Sequence, residues 1–385
     1  MTTRTLEADV IESLEVGKST GASTGTLPPL VSTKKKILKR FFRHKLAVLG
    51  LILLSIFYLA IIFADFLAPY RMDSADRSKP YLPPTKIHLF HNGKFVGPFI
   101  YDMIEQFDPK TRFNKYVPQT DKIYKIKFFT AGEEYKLLGF IKLNIHLFGV
   151  DKPARIAIWG SDLQGRDIFS RILFGGRISL TIGLMAICIS YPLGLIMGGI
   201  SGYFGGMVDN IIMRVVEAIM TFPSLFLLLT LAATLPKNLT SVQRYIFIIL
   251  ILCFIGWAGQ ARIYRGQVLS LKQMEYVEAA RAIGLPSFLI IIKHIIPQMT
   301  SWIIVAATIS IPAYTLGEAY LSFLGLGIQD PQASWGLMLQ EARNVNILTT
   351  KPWLLIPGFA IVSSVFAFNF FGDGLRDAFD AKKQI

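Results

Sequence analysis

Glu275-Tyr-Val-Glu-Ala-Ala-Arg-Ala-Ile-Gly284-Leu-Pro-Ser287 is a polar, helix-forming cassette set between long apolar runs. Glu275 and Glu278 favour the N-terminal half of a helix and Arg281 its C-terminal half, because each complements the helix dipole. Glu278 and Arg281 also stand one turn apart and can pair across the surface. Ser270 is expected to cap the start through its hydroxyl. Gly284 can take the left-handed conformation that ends a helix, and Pro286 prevents its continuation. Ala279 and Ala280 keep one surface small, so the rod can enter a groove on a partner. A second helix is expected from Ser287 toward Pro297 and the membrane. A membrane chain that exposes such a cassette on one face offers a docking knob to something soluble.

The apolar surroundings are visible in composition. The 385 residues are 52% hydrophobic and 17% charged, with a mean hydropathy of +0.47, which excludes an ordinary soluble domain. A formal net charge of +14 could point to nucleic acid, but the distribution argues otherwise. Lys34, Lys35, Lys36, Lys39, Arg40, Arg43 and Lys45 crowd the approach to the first apolar run, as a cytoplasmic anchor does. No aromatic-interleaved basic face accompanies them, so no nucleic-acid partner is expected. Cys188 and Cys253 lie inside apolar runs and are expected to be small buried hydrophobes.

Along the chain, residues 1–33 are rich in Ser, Thr, Gly and Pro and read as a flexible cytoplasmic tail. Gly17-Lys-Ser-Thr20 is no phosphate loop, since Glu12 stands where a glycine is needed and no strand precedes it. Residues 34–69 hold the basic anchor and a first span, Leu46 to Ala64, which lies too far into the chain for a signal peptide and is expected to stay. Residues 70–167 are polar, Pro-punctuated and aromatic. Their alternating runs Lys86–Phe90 and Tyr124–Phe129 predict a small extracytoplasmic insert that is partly β, either a plain loop or a contact surface. Residues 168–385 form a five-helix core, with spans expected at Ile178–Gly202, Ile212–Leu235, Tyr245–Ala261, Ile303–Phe323 and Trp353–Phe371. Gly183, Gly194, Gly198 and Gly199 permit close helix approach, and Pro192, Pro223, Pro312 and Pro357 are candidate kinks. Six crossings return the C-terminus, with Arg376, Lys382 and Lys383, to the cytoplasmic side. The loop 265–298 is then cytoplasmic, and its Arg265, Lys272, Arg281 and Lys293 obey the positive-inside rule.

Glu278, Ala279, Ala280, Gly284 and Pro297 fall on the pattern of the EAA loop of bacterial ABC-importer permeases. His294 and Ile296 depart from it, where that family has an aliphatic residue and a leucine. Gly160-Ser-Asp-Leu-Gln-Gly-Arg-Asp-Ile-Phe-Ser-Arg171, Gly176–Leu180, Gly202–Asp209, Gly317–Gly327, Ser334-Trp-Gly336 and Asn369–Asp377 are similar to blocks of the C-type permeases of dipeptide and oligopeptide importers. The resemblance covers the first span and Gly160 to Asp377. It implies an all-α membrane protein of six transmembrane helices, the type I importer permease fold, in the bacterial inner membrane with both termini cytoplasmic. It also implies an ATPase-coupling role for Glu275, Glu278, Ala279, Ala280, Arg281, Gly284 and Pro286. The implied partners are a second, homologous permease chain, two ATPase subunits that bind ATP and Mg, an extracytoplasmic solute-binding protein and membrane lipid. The chain itself is expected to hold no cofactor, no metal and no catalytic or ATPase site.

Charged residues inside spans are functional suspects. Glu217, one turn after Arg214, reads as a local ion pair or a pathway group. Glu318 could line a vestibule, bond backbone or meet a substrate amine. Asp373 and Arg376 read as structural. His44, His88, His91, His146 and His294 lack metal-ligand spacing, and no nucleophile–base set stands out. A stand-alone secondary transporter or channel is the rival class, which would need repeated halves or a buried ionisable relay. Nickel chelates or oligosaccharides are alternative cargoes within the resemblance.

Overall fold

A computed structural model describes residues 33–109, 113–137 and 140–379. The expected tail, the Gly17–Thr20 run, Lys382 and Lys383 lie outside the described residues, Thr33 excepted. Helix α1 (Thr33–Arg43) carries the basic cluster. His44 ends it and opens α2 (Lys45–Ile62), its Nδ1 accepting the Ala47 N–H at 3.1 Å. The insert follows, with strands β1 (His88–His91), β2 (Lys94–Asp108), β3 (Phe113–Lys125), β4 (Lys127–Leu137) and β5 (Ile141–Gly149). The core then runs through α3 (Ile168–Phe204), α4 (Gly206–Thr221), α5 (Ser224–Ala233), α6 (Ser241–Leu271), α7 (Glu275–Ala282) and α8 (Ser287–Ile290). A π-helical turn at Ile291–Ile295 leads into α9 (Ile296–Phe323), a short α10 (Trp335–Met338) and α11 (Ile356–Phe379).

Five helical runs are long and apolar enough to cross a membrane: α2, α3, α6, Ser287–Phe323 and Pro352–Phe379. The candidate for a sixth crossing is the pair α4 and α5, bent by 84°. The expected single span Ile212–Leu235 is therefore a broken one. Pro223 lacks an N–H and forces the residue before it out of the helical region, and Phe222 is indeed extended at φ −83° and ψ 134°. Pro192 and Pro312 sit inside unbroken helices instead. Pro357 is no kink either, for it occupies the first turn of α11, where a missing N–H costs nothing.

Within the core, α3 lies along α6 and α9, while α2 packs on α11. The glycines of α3 make the first of these approaches possible. A Cβ at Gly198 would stand 2.4 Å from the Ala261 carbonyl oxygen, so only glycine fits there. Cys253 is buried in this packing, with its thiol 3.4 Å from the Ala186 carbonyl. Cys188, contrary to expectation, is exposed on the surface of α3.

The insert is β as predicted, in an antiparallel β1-β2-β3 sheet and a separate β4-β5 hairpin. The Tyr124–Phe129 alternation is not one strand, however. The chain leaves β3 at Lys125 and enters β4 at Lys127, with the Ile126 N–H turned to the Pro98 carbonyl at 2.9 Å. Ile100, Tyr124, Phe148 and Ile156 form the insert's own core. Phe148 and Trp159 then pack on Phe169 in the first turn of α3, at ring distances of 5.9 and 4.9 Å. Aromatic contacts of this kind fix the insert on the bundle.

Candidate functional site

Helix α7 is the Glu275 cassette, and it stands between the end of α6 and the run that begins at Ser287. Val277 and Ala280, three residues apart, form its inner face and are almost fully buried against Tyr264, Val268, Ile290, Ile291 and Ile295. Burying one valine is worth roughly 2 kcal/mol, so this face holds the rod to its base. Glu275, Glu278, Ala279, Arg281 and Ala282 form the outer face, with Ile283 and Phe288 among the most exposed large apolar residues beside them. Ala279 is thus exposed while Ala280 is buried.

The ends of the rod are set by backbone chemistry. Gly284 stands at φ +79°, its N–H donating to Arg281 O at 3.0 Å, while the Leu285 N–H donates to Ala280 O at 3.2 Å. This is the two-bond Schellman stop, completed by Leu285 packing in the same apolar cluster as Ala280. Pro286 opens the next helix by offering its carbonyl to the Leu289 and Ile290 N–H groups. Ser270 does not cap the rod. It lies within α6, which runs on to Leu271, and the residue before α7 is Met274, which makes no side-chain cap. The expected Glu278–Arg281 ion pair does not form among the described residues, because the Arg281 guanidinium lies over the Tyr203 ring at 5.8 Å.

Three cations from this region converge on Gly202–Asp209, the junction where α3 ends and α4 begins. Arg265 donates to both carboxylate oxygens of Asp209, Nε to Oδ1 at 2.5 Å and Nη2 to Oδ2 at 2.6 Å. The Ser201 hydroxyl donates to the same carboxylate. Lys272 Nζ donates to the Gly202 carbonyl at 3.0 Å, and Arg281 covers Tyr203. The end of α6 is therefore tied to α3 and α4 by charged contacts, and α7 to α3 by Arg281. In the sequence, Asp209 belonged to one block and Arg265 to a count of inside charges. They stand 56 positions apart, so no local spacing pairs them; the available signal was a lone acid and a basic loop.

The two intramembrane acids occupy different settings. Glu217 pairs with Arg214 at 3.2 Å on an exposed face of α4. Glu318 is wholly buried and ringed by hydroxyls. Ser179 of α3 donates to its Oε2 at 3.3 Å, Ser322 donates to its Oε1 at 2.6 Å, and Ser334 is hydrogen-bonded to it as well. Ser179 also accepts the Trp335 backbone N–H at 3.1 Å, while the Trp335 indole donates to Ile172 O at 2.9 Å. Glu318 is thus the hub that ties α3, α9 and the start of α10 together.

Comparison with known proteins follows this geometry. Residues 190–385 match the family described as binding-protein-dependent transport system inner membrane component. Residues 32–84 match the N-terminal TM domain of oligopeptide transport permease C. The chain is 45% identical over 226 residues to the oligopeptide transport system permease protein OppC of Haemophilus influenzae, covering 58% of this chain and 70% of that protein. It is 43% identical over 225 residues to the dipeptide transport system permease protein DppC of Bacillus subtilis, covering 58% and 68%. It is 40% identical over 225 residues to the OppC of Escherichia coli K12, covering 58% and 72%.

Proposed function

The chain belongs to the family of binding-protein-dependent transport system inner membrane components, and from that membership we propose that it is the C-type permease subunit of an ATP-driven importer of dipeptides or oligopeptides. It is a multi-pass protein of the inner membrane. The peptide class is supported by relatives named as oligopeptide and dipeptide permeases. A second, homologous permease chain completes the pathway, and an extracytoplasmic solute-binding protein delivers the peptide. Two ATPase subunits bind ATP and Mg²⁺ and do the hydrolysis, which this chain does not. Both termini lie on the cytoplasmic side, as the basic residues of α1 support.

The observation that carries the coupling reading is the two-sidedness of α7. Its inner face is anchored in the core, and its outer face presents Glu275, Glu278 and Arg281 to a soluble partner. Closure of the ATPase pair displaces the rod. Because α7 is packed on α6 and linked to the Gly202–Asp209 turn, that displacement carries α3, α6 and α9 together and shifts the bundle between its two access states. Reconstitution of the assembled complex with its binding protein in liposomes tests the reading. Uptake of a labelled tripeptide is expected to require ATP, and Glu278→Lys is expected to abolish ATPase association and uptake while the chain stays inserted. Tripeptide uptake that persists without the ATPases contradicts it, as does normal association in Glu278→Lys.

A further inference from the structure

We propose that the β4-β5 hairpin and the end of α2 form a binding site for one membrane phospholipid with a zwitterionic headgroup. The proposal does not depend on what the bundle transports. An apolar groove of about 590 Å³ runs between Ile56, Leu59, Ala60, Phe63 and Phe66 on one side and Tyr135 and Leu143 of the hairpin on the other. Ile56, Leu59 and Phe63 are exposed on the outward face of a membrane-length helix. The groove is therefore continuous with the surface that meets acyl chains. A soluble partner could not reach the part of it that lies along α2.

Tyr135 and Leu143 also line an adjoining cavity of about 620 Å³, and this one is charged. Its walls carry Arg71, Lys142 and Arg177 together with Asp65, Asp73 and Glu134. Asp65 and Arg71 follow directly on the end of the span, which places the cavity at headgroup level. Three cations balance three carboxylates. Arg177 is paired with Asp65 at 2.6 Å and Arg71 with Asp73 at 3.3 Å, whereas Lys142 and Glu134 form no ion pair among the described residues. One ammonium and one carboxylate are left to face a phosphate and an amine. A headgroup bearing net negative charge would leave Glu134 opposed, and a bare fatty acid would leave it unmatched.

The site is preformed, which lowers the cost of binding. His146 is buried, with Nδ1 2.6 Å from the Ala68 carbonyl and Nε2 3.0 Å from the Glu133 carbonyl, so it clamps both hairpin strands to the chain just beyond α2. The Tyr135 hydroxyl donates to Ile145 O at 2.6 Å and fixes the ring that both cavities share. Phe66, which lines the groove, has the Phe129 ring 6.2 Å away, and aromatic residues of this kind favour the bilayer interface.

The test is native mass spectrometry of the delipidated full complex given dioleoyl phosphatidylethanolamine and dioleoyl phosphatidylglycerol in equal amounts. We expect one phosphatidylethanolamine retained per chain, in about tenfold preference. Leu143→Trp fills the groove from the hairpin and Ala60→Phe fills it from α2, so that a folding defect in one does not decide the result; either is expected to abolish retention. Lys142→Glu is expected to remove the headgroup preference while leaving α2 and the hairpin in place. Undiminished retention in both groove variants overturns the site, and so does the absence of bound lipid from the unaltered complex. Equal or greater retention of phosphatidylglycerol by that complex overturns the headgroup assignment.

Discussion

Arg265, near the end of α6, holds Asp209, in the first turn of α4, by two parallel hydrogen bonds of 2.5 and 2.6 Å. The pair joins α4 to α6, the helix that leads toward the Glu275–Ala282 rod, and its forked geometry suits arginine alone.

Asp209→Asn keeps the shape of the acid and removes its charge. A hydrogen bond to a charged group is worth about 1.5–3 kcal/mol, enough to loosen the link without unfolding a bundle that retains its apolar packing. Peptide uptake by the reconstituted complex is expected to fall about tenfold, with ATPase subunits still bound in pull-downs. The exchanged pair Asp209→Arg with Arg265→Asp is expected to regain part of the loss. Wild-type uptake in Asp209→Asn would show that the link plays no part in coupling.

Gly284 offers a cleaner separation of strain from crowding. Nothing lies within 4 Å of a Cβ placed there, so a substitution pays only for φ +79°. That conformation costs an L-residue roughly 1–2 kcal/mol, less for asparagine and more for a β-branched side chain. Uptake is expected to fall in the order Gly284, Gly284→Asn, Gly284→Ala, Gly284→Val at equal membrane levels on immunoblots. Equal activity across the series would mean that the Schellman stop does not set the rod's position.

Helix number, the β character of the insert and the stop at Gly284 were legible because each follows from local chemistry: apolar length, alternation and a glycine before a proline. What the sequence hid was contact. Ser179, Glu318, Ser322 and Trp335 belong to three blocks that each stood out on reading, yet their meeting depends on how α3, α9 and α10 pack. Ser270 failed as a cap for a related reason, since α6 is stabilised by tertiary packing of Tyr264 and Val268 beyond the point where apolar composition ends. Pro223 reads as a kink from the sequence alone, but the 84° turn beside Phe222 does not follow from it.

Glu318→Gln distinguishes a structural hub from a pathway group. The amide retains one acceptor for Ser322 and brings an N–H against hydroxyls that now donate, so one of the buried bonds is lost or must reverse. A buried polar group left without its partner costs about 1–3 kcal/mol. The expected outcome is a lower thermal midpoint for the purified complex, with uptake reduced only in proportion to folded protein. If uptake were lost at an unchanged midpoint, Glu318 would be acting on the peptide itself.

Asp167 gives the insert-side entry to α3 a dependence on pH. Its Oδ2 caps the helix by accepting the Ser170 N–H at 2.7 Å and the Ser170 hydroxyl at 2.6 Å, while buried Oδ1 has no hydrogen-bond partner among the described residues. Burial pushes this carboxyl from its usual 3.8 up to about 6, against the opposing pull of the bonds from Ser170. The folded chain thus holds a proton that the unfolded chain releases between those values. The resulting stabilisation is complete below the unfolded value, declines as pH rises through about 6 and is gone above it, with a span of about 3 kcal/mol. Thermal unfolding at about pH 5 and about pH 7 is therefore expected to show a lower midpoint at the higher pH. Glu341, raised by burial and by Asp162, adds a slope of the same sign, so the decisive quantity is the difference between wild type and Asp167→Asn. The asparagine keeps an acceptor for the cap and cannot titrate; its slope is expected to be the shallower, and an identical slope would rule Asp167 out as the source.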